Sequence, residues 1–210
     1  MVIGSLNMTS TVTTDAEKHL FYSHLKELHL FIPLNMAAID IPSSSPLFQN
    51  LDHLIIETSS KLIHLVIGTP LLLHTTLLDN SLLIPVFSQL QSLYMIPENV
   101  YFPFEYASKL VERFPSLVHV ELRIICLGTD ALLVDTLLRG LAKFIHLKIF
   151  FTYRLYINET CSVDYVVERR RQAFPFNIWN KDEVLVNIDE QLLEIYLSGC
   201  SICVNIPYVV

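Results

Sequence analysis

The sequence predicts a mixed α/β fold in which units of one strand and one helix stack side by side as a solenoid. Three observations lead to this prediction. A short apolar phrase recurs six times along the chain, with starts 26, 11, 28, 27 and 27 residues apart. Helical patterns lie between the later copies, as expected when each strand returns along an outer layer of helices. The hydrophobic fraction is 52% and the charged fraction is 17%, which is typical of parallel strands buried under helices.

The recurring phrase is an apolar residue, two variable residues, an apolar residue, one variable residue and an apolar residue. Its copies are Leu25-Leu28-Leu30, Leu51-Leu54-Ile56, Leu62-Leu65-Ile67, Leu90-Leu93-Met95, Leu117-Val120-Leu122 and Phe144-Leu147-Ile149. The spacing of the regular copies is typical of leucine-rich repeats, in which each copy forms one strand of a curved parallel sheet with helices on the outer face. The middle residues are expected to line up on adjacent strands: Leu28, Leu54, Leu93, Val120 and Leu147. The short step from Leu51 to Leu62 leaves no room for a helix, so residues 51–67 hold either one repeat strand or two.

This pattern divides the chain into four segments. Residues 1–20 are predicted to be a flexible lead and a short helix, because residues 1–14 are rich in Ser and Thr. Residues 21–152 form the leucine-rich-repeat-like array. Residues 153–198 follow as a helix and a hairpin that cap the array, and residues 199–210 are an apolar tail without a clear element.

Two helices of the array are predicted from apolar stripes. Phe104 to Phe114 places apolar residues three and four positions apart, and Pro115 ends this helix. Thr129 or Asp130 is expected to cap the next helix. The buried stripe of that helix is predicted to be Leu133, Val134, Leu137, Leu138 and Leu141. Gly140, near the end of the stripe, is expected to ease the exit of the chain.

The C-terminal cap is predicted from a change of period after Ile149. Val163 to Phe174 has a helical pattern, and Arg169, Arg170 and Arg171 near its end are expected to lie in solvent and to suit the helix C-terminus. Two strands joined by a short turn are indicated by the alternation of Val184, Val186 and Ile188 and of Leu193, Ile195 and Leu197. This β-hairpin is expected to close the open end of the array, whose last repeat otherwise exposes its core.

Two stretches of the chain resemble a known protein family. The first is FPSLVHVELRIICLGTDALLVDTLLRGLAKFIHLKIFF and the second is RRRQAFPFNIWNKDEVLVNIDEQLLEIYLS. Together with the repeat spacing, they are similar to the leucine-rich-repeat region of divergent F-box-like proteins, the substrate-recognition subunits of cullin-type ubiquitin ligases. The resemblance covers about residues 20–198, and the F-box itself is not found in this chain. It implies a protein-binding module, whose partners include a ubiquitin-ligase adaptor only if an F-box lies upstream.

Composition and charge argue against several other classes of protein. The most apolar run, Leu62 to Leu78, contains Gly68, Thr69 and Pro70 and includes a repeat strand, so a membrane span is not expected. The N-terminus lacks the basic start and long apolar stretch of a signal peptide. A net charge of −7 argues against a general binder of nucleic acid or anionic lipid. The four scattered Cys indicate reduced thiols and therefore a cytoplasmic or nuclear protein.

Side chains alternate along a strand, so the residues on either side of each middle apolar residue face the concave side of the sheet. The first of these columns holds Glu27, His53, His64, Ser92, His119 and His146. The second holds His29, Ile55, Val66, Tyr94, Glu121 and Lys148. Five of the eight His therefore share one predicted surface. His119 and His146 are expected to be close enough to touch across neighbouring strands.

This concave surface is the predicted binding site for another protein. The residues expected to contact the partner are His53, His64, Tyr94, His119, Glu121, His146 and Lys148. A column of imidazoles would make recognition sensitive to mildly acid pH. The alternative origin of the column is repeat duplication, which copies a polar residue that is merely tolerated.

Alternative functions remain open. A metal-dependent enzyme would use the His column, although only Glu121 offers a third ligand nearby. A thiol-dependent enzyme would use Cys200 and Cys203, the single CxxC pair. A membrane-associated or scaffolding repeat protein unrelated to ubiquitin is favoured by the high mean hydropathy. Because the chain has no glycine-rich phosphate loop, GxSxG or HExxH motif, the sequence predicts a protein that is not an enzyme and uses no cofactor or metal.

Overall fold

A computed structural model describes residues 3–6, 27–30, 62–73, 78–96, 101–127, 131–153, 161–177 and 179–197. These residues form a mixed α/β structure around one open, mostly parallel sheet. Its strands are β1 Ile3–Leu6, β2 Glu27–Leu30, β3 His64–Ile67, β4 Ser92–Met95, β5 His119–Cys126, β6 His146–Tyr153, β7 Val184–Ile188 and β8 Leu192–Leu197. The mixed α/β class with a parallel sheet is therefore confirmed.

Strand order follows chain order along the parallel part of the sheet. The first six strands pair with their neighbours in sequence and are all parallel, and the full order is β1-β2-β3-β4-β5-β6-β8-β7. Two parallel neighbours need a crossover connection, and the chain supplies helices in several of these connections. Each strand is thereby placed beside the one before it.

The middle residues of the apolar phrases stand in register. The pairs are Leu28 with Leu65, Leu65 with Leu93, Leu93 with Val120, and Val120 with Leu147. Each of these residues is at most 1% exposed. The predicted alignment is thus confirmed on β2, β4, β5 and β6, whereas Leu54 lies outside the described residues.

The first strands differ in part from the sequence expectation. β2 pairs directly with β3, so the phrase that begins at Leu62 supplies the strand beside the first repeat, and residues 51–56 lie outside the described residues. On its other side β2 pairs in parallel with β1, within the segment predicted to be a flexible lead. The four residues of β1 pair with the backbone of β2 along that edge. A strand of four residues is too short to show a hydrophobic period in the sequence.

The described helices are α1 Thr69–Leu73, α2 Ile84–Gln89, α3 Ala107–Arg113, α4 Ala131–Gly140 and α5 Val163–Ala173. Short 3-10 turns at Ser81–Leu83 and Phe104–Tyr106 lead into α2 and α3. The helix predicted from Phe104 is therefore confirmed. The whole stripe predicted for α4 is buried with the sheet residues in one core, and its expected caps, Thr129 and Asp130, lie outside the described residues.

Gly140 has a different role from the one expected. It is the last residue of α4, and a Cβ added there would overlap the side chain of Val111 on α3. The absence of a side chain therefore allows α3 and α4 to approach closely. The packing of two helices, and not the exit of the chain, accounts for glycine at this position.

The predicted hairpin is present as β7 and β8. β8 pairs antiparallel with both β6 and β7, so the hairpin extends the sheet past β6 and the sheet stays open. The core beneath this end is covered by α5, which packs against α4 and β7. The expectation that the hairpin closes the array is therefore wrong, because β8 continues the sheet along the edge of β6 and β7 forms a new edge.

Arg170 is buried, whereas the sequence predicted that it would lie in solvent. It is 0% exposed, and its guanidinium donates hydrogen bonds to the carbonyl oxygens of Leu138 and Leu141 at 2.7 Å and of Ala142 at 3.0 Å. These oxygens lie at the C-terminal end of α4, where helical carbonyls lack intrahelical partners. The side chain therefore caps α4 from α5, while Arg171 remains exposed as expected.

Two further features of the sequence are located by the fold. Within the described ranges, no helix is both long and apolar enough to cross a membrane. Cys126 and Cys161 are buried thiols, and burial raises the pKa of Cys161 to about 11. Cys200 and Cys203 lie outside the described residues.

Candidate functional site

One face of the sheet is apolar and buried, and the other carries polar side chains. Along β3, β5 and β6 the burial alternates between fully and partly buried residues. The buried residues pack with the helices in the core. The partly buried residues form the opposite surface, here called the open face, which corresponds to the concave side predicted from the sequence.

The strand register arranges the open face in two rows that run across the strands. The first row is His64, Ser92, His119, His146 and Tyr196. The second row is Val66, Tyr94, Glu121, Lys148 and Glu194. Six of the seven residues predicted to bind a partner lie in these rows, and the seventh, His53, lies outside the described residues.

His119 and His146 contact each other across β5 and β6, as the spacing predicted. Their ring centroids are 5.9 Å apart with an interplanar angle of 74°. Burial, with smaller contributions from His146 and His64, lowers the pKa of His119 to about 4. Burial also lowers the pKa of His146, although its hydrogen bond to Glu194 opposes that effect. Both imidazoles are therefore neutral at pH 7.

These pKa directions correct the expected response to mildly acid pH. That expectation assumed solvent-exposed imidazoles, which become charged near their ordinary pKa of about 6.5. In the folded sheet they stand side by side and are half-buried, so a positive charge on one disfavours a charge on the next. His119 consequently stays neutral through mildly acid conditions.

The hairpin supplies two residues that sequence reasoning missed. The imidazole of His146 stacks on the ring of Tyr196, with centroids 4.2 Å apart and planes 8° apart. Glu194 holds both neighbours, since its Oε1 lies 3.3 Å from His146 Nε2 and accepts a hydrogen bond from Tyr196 Oη at 2.8 Å. Alternation placed these two residues on one face of a strand, but only the pairing of β8 with β6 brings them to the His column.

The second row is a ladder of opposite charges. Lys148 Nζ lies 3.8 Å from Glu121 Oε2 and 4.8 Å from the centre of the Phe150 ring. Burial raises the pKa of Glu121, while Lys148 lowers it and Glu194 raises it further. Since one cation stands between two acids on neighbouring strands, opposite charges face each other and the row as a whole remains acidic.

Ser92 is the second residue of the first row. It stands in register between His64 and His119, is 0% exposed, and its Oγ has no hydrogen-bond partner among the described residues. The small side chain is enclosed by its larger neighbours, so its hydroxyl is not available to an external molecule. This arrangement lacks the accessible hydroxyl and the hydroxyl–imidazole contact of a serine nucleophile.

The open face carries side chains that can make polar and aromatic contacts with another molecule. These are half-buried aromatic rings, neutral imidazoles with both donor and acceptor nitrogens, and one row in which a cation stands between two acids. Within the described ranges, no group of three or more His, Cys, Asp or Glu is placed to hold a metal ion. Comparisons with models of protein families, with curated proteins and with solved structures gave no match for this chain.

Proposed function

We propose that this chain is a leucine-rich-repeat-like solenoid that binds another protein on its open face. The single observation that carries the proposal is the strand register, which collects His64, Tyr94, His119, His146 and Lys148 on one surface. A row of side chains fixed on paired strands is rigid before binding, which lowers the entropy lost when a partner docks. Aromatic and charged residues held in this way are those that most often dominate binding energy.

The repeat interpretation is supported by the sequential order of parallel strands. A leucine-rich repeat adds one parallel strand per unit beside the previous one, which is the order of β2 to β6. The starts at Leu62, Leu90, Leu117 and Phe144 are 28, 27 and 27 residues apart. By resemblance to F-box-like proteins, we propose the substrate-recognition part of a ubiquitin-ligase receptor as the biological context, with the ligase adaptor as a partner only if an F-box lies upstream.

A catalytic role is less well supported than binding. His146 is oriented by Glu194 as a general base would be, but the one serine among the described residues of its row, Ser92, is buried and is in register with His119 and not with His146. The neutral imidazoles and their stacking on Tyr196 suit a contact surface. We therefore propose a protein that is not an enzyme.

The test is a screen for partners in which the open face and the helical face are altered separately. The open-face variant carries Tyr94→Ala and Lys148→Glu, since both side chains are partly exposed in the second row of the open face. The matched control carries Leu132→Ser, because Leu132 is 63% exposed on α4. We expect partners retained by the control and lost by the open-face variant. If every partner is retained by the open-face variant, or lost only by the control, the proposal is wrong.

A further inference from the structure

The outer strand of the hairpin is the last strand of the sheet among the residues that the structure describes. β7 is the last strand in the sheet order, and within the described ranges it pairs with β8 only. It contains Val-Leu-Val-Asn-Ile, without charge or proline. An edge strand of this composition is a template for a further strand.

The backbone groups that face outward on β7 follow from the hairpin hydrogen bonds. Hydrogen-bonded residues alternate along an antiparallel pair, and the amide of Asp189 donates to the carbonyl oxygen of Leu192 at 2.8 Å. Because the hydrogen-bonded positions recur every two residues before Asp189, the backbone groups of Asn187 and Leu185 also form hydrogen bonds with β8. The amides of Val186 and Ile188 therefore point to the outer edge.

Two other hydrogen bonds agree with this assignment of inward-facing and outward-facing amides. The amide of Val184 donates to the carbonyl oxygen of Lys181 and not to β8. On the next strand the amide of Leu197 donates to the carbonyl oxygen of Ile145, so that residue of β8 faces β6. The outer edge of β7 thus offers two amides and the carbonyl groups of the same residues to an incoming strand.

Acidic residues stand at both ends of this edge. Asp182 and Glu183 precede β7, Asp189 and Glu190 follow it, and all four are exposed. The one cation close to them in sequence, Lys181, forms an ion pair with Asp164 on α5. β7 itself is therefore uncharged, and exposed acidic side chains flank it on both sides.

The acidic flanks disfavour a second copy of the chain at this edge and favour a basic segment. If a second copy paired antiparallel about Val186, Asp182 would face Glu190 and Glu183 would face Asp189. Like charges directly opposite each other are destabilising. A partner segment with basic residues at its ends meets the opposite sign at both positions.

We propose that the outer edge of β7 binds an extended segment of another protein, with apolar and polar residues alternating in its centre and Lys or Arg at each end. The segment adds a strand to the sheet by main-chain hydrogen bonds to Val186 and Ile188, as in other cases of strand addition. Its basic ends pair with the acidic residues that flank β7. This site is separate from the open face, so it does not depend on the function proposed above.

The experiment titrates the whole chain into two labelled peptides and follows fluorescence anisotropy. The basic peptide is Lys-Lys-Val-Thr-Val-Thr-Val-Lys-Lys, and in the acidic peptide every Lys is replaced by Glu. We expect saturable binding of the basic peptide that weakens as salt screens the charges, and at least about tenfold weaker binding of the acidic one. Equal binding of both peptides, or no binding of the basic one, overturns the proposal.

Two variants locate the site. Val186→Pro removes an outward amide without removing a bond to β8, and proline is tolerated on edge strands, so we expect loss of binding with a cooperative thermal transition. If that variant does not fold, the double variant Asp189→Lys with Glu190→Lys tests whether the peptide binds beside β7. It should weaken binding of the basic peptide and strengthen binding of the acidic one. Unchanged binding in the folded proline variant, or in the charge-reversed variant, overturns the proposal.

Discussion

The guanidinium of Arg170, on α5, donates a hydrogen bond of 2.7 Å to the carbonyl oxygen of Leu141, the residue that follows α4. The same side chain lies against two aromatic rings, with its Cζ 4.4 Å from the ring centre of Phe174 and 4.5 Å from that of Trp179. A buried cation thus joins α5 to α4, the helix between β5 and β6. Burial lowers the pKa of Arg170 to about 10, so the side chain is charged at pH 7.

Arg170→Ala is expected to destabilise the protein by about 3–5 kcal/mol, because the carbonyl oxygens at the end of α4 lose their donors and a buried space opens. Arg170→Lys should still cost about 2 kcal/mol or more, since an ammonium group cannot reproduce the planar guanidinium fork. The control is Arg171→Lys, at an exposed position of the same turn, with an expected change within about 0.5 kcal/mol. The measurement is the free energy of unfolding in urea, and equal effects at both positions would contradict the proposed cap.

Gly140→Ala should destabilise the protein even though alanine is the better helix former. The added methyl group overlaps Val111 across the α3–α4 contact, and overpacking of this kind typically costs about 1–3 kcal/mol. Thermal unfolding monitored by circular dichroism provides the measurement. The double variant Gly140→Ala with Val111→Ala should lose less stability than the sum of the two single variants. Strict additivity would show that the two helices are not in close contact here.

Leu147→Ala and His146→Ala test the two faces of β6 at adjacent residues. Leu147 is 0% exposed, so its truncation should cost about 2–5 kcal/mol through lost burial and a cavity. His146→Ala should cost about 1 kcal/mol, because the imidazole loses the stack on Tyr196 and the contact with Glu194 but lies on the open face. Chemical denaturation of both variants gives the comparison. If His146→Ala were the more damaging change, the assigned faces of the strand would be reversed.

Stability should fall as the pH is lowered from about 6.5 to about 4. The pKa of His119 is about 4 in the folded protein, against 6.5 for an unperturbed imidazole, so the unfolded chain binds the proton first and acid favours unfolding. Below the folded pKa the loss is complete, and for one half-buried imidazole it amounts to about 1–3 kcal/mol. His119→Gln should lose less stability over the same interval in urea unfolding at several pH values. An identical pH dependence in wild type and variant would show that His119 is not the group responsible.

The sequence by itself determined the class of fold, the phase of its strands and the make-up of the open face. The spacing of the apolar phrases placed Leu93, Val120 and Leu147 on neighbouring strands, because a period of two leaves only one face for the apolar residues. The same alternation assigned His119 and His146 to the opposite face, where they contact each other.

Only the tertiary structure decided the contacts between segments that are far apart in the chain. Pairing of β8 with β6 joined Glu194 and Tyr196 to the His column, and the approach of α5 to α4 buried Arg170. It also decided that His119 and His146 remain neutral, since a pKa depends on burial and on neighbouring charges that local sequence does not reveal. Short-range patterns fix which way a side chain faces, whereas its partners depend on how distant elements pack.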